Sequence, residues 1–198
     1  MPAPTYKLIA GLGNPGAEYL FTRHNVGFLV LDAWADEEGG LFKDERARFS
    51  KFLALDTGER LVKPMTYMNV SGESVQAAAG FFKIEPEAIT VFHDELDLAP
   101  GKIRVKRGGG AAGHNGLRSL DQHLASPDYW RVRLGIGHPG DKNRVTGYVL
   151  SDFAKEDLPW LLPCLDAVAD NAGLLAEQKA EEFMTRIAMI AGGAANGL

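Results

Sequence analysis

The stretch YKLIAGLGNPG, Tyr6–Gly16, decides the fold. Tyr6–Leu12 is a short apolar run closed by a glycine turn, the pattern of a buried strand. Gly11, Gly13 and Gly16 then fit G-x-G-x-x-G, the first step of a dinucleotide-binding unit. The later steps fail. Pro15 and Thr22 interrupt the chain where a helix would already run. The acid about 20 residues on, Asp32, falls inside a helical pattern instead of at a strand end. What remains is a tight turn that exposes the amide of Asn14, whose plainer reading is a turn asparagine.

Outward from this strand the chain alternates strand and helix patterns. Asn25–Glu37 has helical content, with Thr22 available as its cap. FSKFLAL and RLVKP flank DTGE as a hairpin. Residues 70–83 read as a helix starting near Asn69. Ala88–Phe92 is a buried strand, the fourth in this count, leading into HDELDL. GKIRVKR and WRVRLGIG are further strands, and His114–Leu124 is a helix between them. Residues 159–191 are mostly helical, with Leu161, Leu165, Val168, Ala172 and Leu175 on one face and Pro159 in a first turn. MPAPT is expected to be a loose tail. The pattern predicts one α/β domain over residues 1–198, a mixed sheet flanked by helices. Ligands of such sheets bind at loops beyond the strand ends.

Composition narrows the function classes. Hydrophobic residues make up 45% of the 198 and charged residues 24%, ordinary for a globular protein. No apolar run is long enough to span a bilayer and no cationic leader precedes one, so the chain reads as cytoplasmic. The single cysteine, Cys164, lies in LLPCLDAV and reads as a buried small hydrophobe. Net charge is −5, yet Gly101–Arg118 holds Lys102, Arg104, Lys106, Arg107 and Arg118 with no acid, and Arg131, Arg133, Lys142 and Arg144 follow. Such a local basic surface suits a partner with a few phosphates at one place, though charge alone favours a solvated face.

The chemistry-bearing residues sit in loops. HDELDL offers His93, Asp94, Glu95 and Asp97, but His24, His114, His123 and His138 are scattered singly, so no metal site is expected. A strand-end carboxylate is better suited to orient a histidine from another loop, and Asp94 is the first candidate; Asp97 reads as a turn residue. GGGAAGHNGL lacks the Lys-Ser/Thr pair of a P-loop but presents backbone N–H groups and the amide of Asn115 near a helix start. Asn115 and Asn69 each also read as plain helix caps. No G-x-S-x-G elbow occurs. A neutral His24 imidazole can deprotonate a water, and the three amides can hold that water and the carbonyl it attacks. That chemistry suffices for an activated ester.

Five ordered blocks, GLGNPG.EY..TRHNVG, KPMTYMNVSG, HDELDL.PG, GGGAAGHNGL and RLGIGHPGDKN, together resemble the bacterial-type peptidyl-tRNA hydrolases. The resemblance implies a monomeric enzyme, without metal or other cofactor, that cleaves the ester between a peptide and the tRNA 3′ end. It implies a phosphorylase/hydrolase-like twisted mixed sheet. It makes His24 the base and Asp94 its orienting acid, with Asn14, Asn69 and Asn115 positioning substrate and water. Tyr19 and Met68 would line the peptide site. Lys106 and Arg133, and more weakly Lys142, would clamp the tRNA 5′-phosphate. Two departures stand out: Ala111 and Ala112 occupy places where some members carry His or Ser, and Arg104 stands where Lys is common. Three other readings stay open: a dinucleotide-dependent oxidoreductase, an RNA-binding module without catalysis, and a peptide-bond hydrolase of the same fold.

Overall fold

The computed structural model describes residues 7–196, with side chains described to residue 190. The expected tail Met1–Thr5, and Tyr6 of the first strand, lie outside the described residues. Seven strands form one sheet: β1 (Lys7–Gly11), β2 (Lys43–Glu45), β3 (Ser50–Ala54), β4 (Glu59–Pro64), β5 (Ile89–Glu95), β6 (Ile103–Arg107) and β7 (Trp130–Gly135). Their order is β2-β3-β4-β1-β5-β7-β6. The central pairs β4–β1, β1–β5 and β5–β7 are parallel, while β2–β3, β3–β4 and β6–β7 are antiparallel. The sheet is therefore mixed, as expected.

Helices cover both faces. The main ones are α1 (Val26–Glu37), α2 (Ser71–Phe82), α3 (Asn115–His123), the short α4 (Val145–Val149), α5 (Leu158–Asn171), α6 (Gly173–Ala176) and α7 (Ala180–Asn196). One core packs Ile9, Phe92 and Val132 against Trp34, Leu165, Val168 and Phe183. The other packs Leu8, Ala10 and Val91 against Val75, Ala78 and Leu120. Strand side chains alternate in direction, so one buried strand feeds both cores. Leu161, Leu165, Val168, Ala172 and Leu175 are all buried, as their spacing requires. Cys164 is buried too, and burial pushes its thiol pKa up to about 11. No helix among the described residues is long and apolar enough to cross a membrane.

Two expectations need correction. Asp94 belongs to the fifth strand in chain order, because the polar edge segment Lys43–Glu45 also pairs. It also lies inside β5, one residue before its end. Thr22 does not cap α1. A 3-10 turn, Arg23–Asn25, comes first, and the Thr22 hydroxyl donates to the Tyr19 carbonyl at 3.0 Å.

Candidate active site

The site begins with a glycine contact. A Cβ on Gly11 would lie 2.3 Å from the Gly27 carbonyl oxygen, and one on Gly27 would lie 2.4 Å from Leu12 N and 2.5 Å from the Phe92 carbonyl. Only glycine at both places lets the start of α1 rest on the tips of β1 and β5. These glycines serve chain packing. The turn just before Gly27 is thereby laid across the strand ends.

Each side chain of that turn, TRHN, is then tied down. Arg23 donates to the Ser151 hydroxyl at 2.7 Å and the Asp152 carbonyl at 2.9 Å, pairs with Asp157 at 3.0 Å, and stacks on the Tyr148 ring. Asn25 accepts from the Asn14 backbone N–H at 2.8 Å and donates to the Asn14 carbonyl at 3.0 Å. His24 lies 2.9 Å through Nδ1 from both carboxylate oxygens of Asp94.

Asp94 is buried and receives a second imidazole. His114 Nε2 lies 2.9 Å from its Oδ1. The tautomers follow from the partners. His114 Nδ1 accepts from the N–H groups of Gly116 at 3.1 Å and Leu117 at 3.4 Å, so its Nε2 carries the proton and donates to Asp94. The ionised carboxylate accepts from His24 Nδ1–H as well. That leaves His24 Nε2 with a lone pair and no hydrogen-bond partner among the described residues. Burial alone would lower the His24 pKa, but the Asp94 charge and hydrogen bond outweigh it, and the imidazole sits above its ordinary value. Burial alone would raise the Asp94 pKa, but His24 and His114 hold the carboxyl well below the usual carboxylate range. His93 donates through Nδ1 to the Asp94 carbonyl at 2.8 Å and stays neutral, its pKa pushed down to about 3 by burial and then by His114.

His24, Asp94 and His114 are also the one trio among the described residues with metal-ligand spacing, their ligand atoms within 4.8 Å of one another. Both imidazole nitrogens facing Asp94 carry protons in this arrangement, so the trio is a hydrogen-bonded set and does not fit a metal.

Asn14 is pinned at its backbone by Asn25 and at its Oδ1 by the Met68 N–H, 2.7 Å away. Its Nδ2 is therefore its remaining donor, and the residue lines the cavity. Asn69 sits within a 3-10 turn, Met68–Val70, and does not cap α2. Asn115 does not cap α3 either; the His114 ring does. Both asparagines are exposed and line the same cavity, as does the buried Met68. Tyr19 departs from expectation. It lies in a separate 3-10 turn and is not among the lining residues, whereas Tyr67 is.

The cavity, about 740 Å³, continues past the glycine-rich loop to Lys106, Arg133 and Lys142. Lys106 and Lys142 make no ion pair among the described residues; Arg133 donates through Nε to Glu95 at 2.9 Å. The loop between is tied by Arg131, a fully buried residue that donates to the Gly110 carbonyl at 2.7 Å and pairs with Asp121 at 3.0 Å.

Sequence reasoning placed His24 and Asp94 together but missed His114, Asn25 and Arg131. The available signal for His114 was its place directly before Asn115, at the start of a helix.

A family model described as peptidyl-tRNA hydrolase matches residues 8–194. A peptidyl-tRNA hydrolase of Granulibacter bethesdensis is 61% identical over 191 residues, 94% of this chain and 97% of that protein. One of Acidiphilium cryptum is 58% identical over 93% of this chain and 97% of its own. The crystal structure of peptidyl-tRNA hydrolase from Acinetobacter baumannii superposes with a TM-score of 0.86 at 42% identity, covering 93% of this chain and 95% of that one. With this similarity of fold and this level of identity, the chain belongs to the peptidyl-tRNA hydrolase family.

Proposed function

We propose that His24 is the general base with which this chain performs the family's reaction, hydrolysis of the ester joining a peptide to the 3′ end of tRNA. The observation that carries the assignment is the 2.9 Å contact of His24 Nδ1 with Asp94, which leaves Nε2 as a lone pair on the cavity-lining His24, with no partner among the described residues. Nε2 takes a proton from water, and the water oxygen forms a bond to the ester carbonyl carbon. The tetrahedral oxyanion is met by amide donors, of which Asn14 Nδ2 is the one fixed by its other contacts. The ester C–O bond then breaks, and His24 returns the proton to the departing ribose oxygen. Asp94 stabilises the imidazolium in between. Asn69 and Asn115 reach the peptide and the water, and Met68 offers an apolar contact. Tyr19, outside the cavity wall, keeps at most an indirect part.

Lys106, Arg133 and Lys142 meet the 5′-phosphate end of the tRNA. Such contacts add affinity that falls as salt rises. Translation supplies the substrate, so we place the enzyme in the cytoplasm. It acts as a monomer, since one chain supplies every group of the site.

Purified protein is incubated with N-acetyl-aminoacyl-tRNA, with and without chelator, and free tRNA is assayed. Release undiminished by chelator, and lost in His24→Ala with tRNA binding retained, is the expected result. Near-normal turnover by His24→Ala would overturn the assignment.

A further inference from the structure

Glu95 follows Asp94 but faces the other way, onto the sheet face where β6 and β7 gather cations. The register sets Arg104 opposite Arg133 and Lys106 opposite Arg131. On β5, His93 is the register partner of Arg133. Arg131 is spent on Asp121 and Gly110. Arg104 is exposed and donates to a backbone carbonyl. Arg133 is held differently. Its Nε donates to Glu95 Oε2 at 2.9 Å, while Glu95 Oε1 accepts the backbone N–H of Asp97 at 3.1 Å. The carboxylate is thus anchored at both oxygens, with side-chain exposures of 23% for Arg133 and 11% for Glu95. The two terminal nitrogens of Arg133 have no partner among the described residues, and the residue lines the cavity.

We propose that Glu95 is a positioning residue for the anion end of the cleft, holding Arg133 by Nε so that its two terminal nitrogens form a two-pronged donor for a terminal phosphate monoester. This rests on the reading that Arg133 meets the tRNA 5′-phosphate. Glu95 neutralises the long-range charge of Arg133, so that arginine supplies direction more than attraction. Lys106 and Lys142, without ion-pair partners among the described residues, supply the attraction. A planar guanidinium can bind two phosphate oxygens at once, and a lysine at the same place cannot.

The test is steady-state hydrolysis of N-acetyl-aminoacyl-tRNA with and without its 5′-phosphate. It compares the natural chain with Glu95→Gln, Arg133→Ala, Arg133→Lys and the Glu95→Gln/Arg133→Ala double variant. In the natural chain the phosphate lowers KM. In Glu95→Gln, KM for the phosphorylated substrate rises roughly five- to tenfold. KM without phosphate moves little, and kcat changes far less than KM. Arg133→Lys weakens the preference as much as Glu95→Gln does although it keeps the charge, and the double variant is no worse than Arg133→Ala. A full phosphate preference in Glu95→Gln or in Arg133→Lys, or tighter binding in Glu95→Gln, would overturn the proposal while leaving Arg133 on the phosphate. A full preference in Arg133→Ala would overturn the phosphate reading of Arg133 itself, and the proposal with it.

Discussion

At one end of the cleft, His24, Asp94 and the ring of His114 are largely shielded from water, and each is fixed by at least two contacts. At the other end, Lys106 and Lys142 carry charge without an ion pair among the described residues, and Lys142 stands in open solvent. The difference matches the roles proposed for the two ends. Proton transfer needs one tautomer in one orientation, and a buried carboxylate between two N–H donors enforces both. Gripping a phosphate needs charge and reach. There, attraction between exposed charges is screened over roughly 8 Å at physiological salt. The buried end is set by geometry and the exposed end by ionic strength.

Four variants break or sharpen this contrast, from the largest effect to the smallest. Asp94→Asn replaces the charged, two-oxygen acceptor that fixes His24 with a neutral amide, and kcat falls by about 10³- to 10⁴-fold. The pH profile moves with it. In the natural chain, activity rises with pH as His24 loses its proton, at a midpoint above the ordinary histidine value. Without the Asp94 charge only burial acts on His24, so the remaining activity rises at a midpoint below that value. The stability sign is opposite for the two groups. The Asp94 contribution is present above its unfolded-state pKa and is lost as pH falls toward the depressed folded value. The His24 contribution is present at low pH and is lost as pH rises through its raised value. Acid and alkaline unfolding of Asp94→Asn, followed by circular dichroism, reads both.

His114→Ala removes one donor to Asp94 and the cap of α3 together. A loss of about tenfold in kcat, with roughly 1 kcal/mol of stability, is expected from steady-state kinetics and chemical denaturation. Lys106→Ala acts at the other end. KM rises several-fold, and the slope of log affinity against log salt becomes shallower by about 1, with kcat little altered. Ala112→Gly has the smallest effect. Ala112 takes a φ of 49° in the glycine-rich loop, a left-handed backbone that favours glycine. Thermal unfolding should show a gain of up to about 1 kcal/mol.

Much of the architecture could be read from the sequence because buried strands and amphipathic helices leave periodic apolar patterns. Ile89–Phe92 and the Leu161–Leu175 face were legible for that reason. Lys43–Glu45 was not, because an exposed edge strand of three polar residues carries no such pattern. At the site, the pairing of His24 with Asp94 was legible, as a loop histidine and a carboxylate near the end of a buried strand. His114 was hidden because its role depends on a ring nitrogen accepting two backbone N–H groups 20 residues from its carboxylate partner. Asn69 and Asn115 each read as a plain cap, and only the fold shows that the His114 ring takes the α3 cap, while the Asn115 Oδ1 accepts from Arg118 at 3.3 Å. The TRHN turn looked like a single functional histidine. In three dimensions its neighbours are the clamp, and the glycines around it are there for helix-on-strand contact.

The central claim is that Asp94 holds His24 with the proton on Nδ1 and the lone pair on Nε2, while the adjacent His114 takes the opposite tautomer. Nitrogen-15 NMR of the labelled imidazoles across a pH titration reads this directly. The account predicts that neutral His24 is the Nδ1–H form with a pKa above the ordinary histidine value, and that neutral His114 is the Nε2–H form. A neutral His24 carrying its proton on Nε2, or one titrating below the ordinary value in the natural chain, would contradict it.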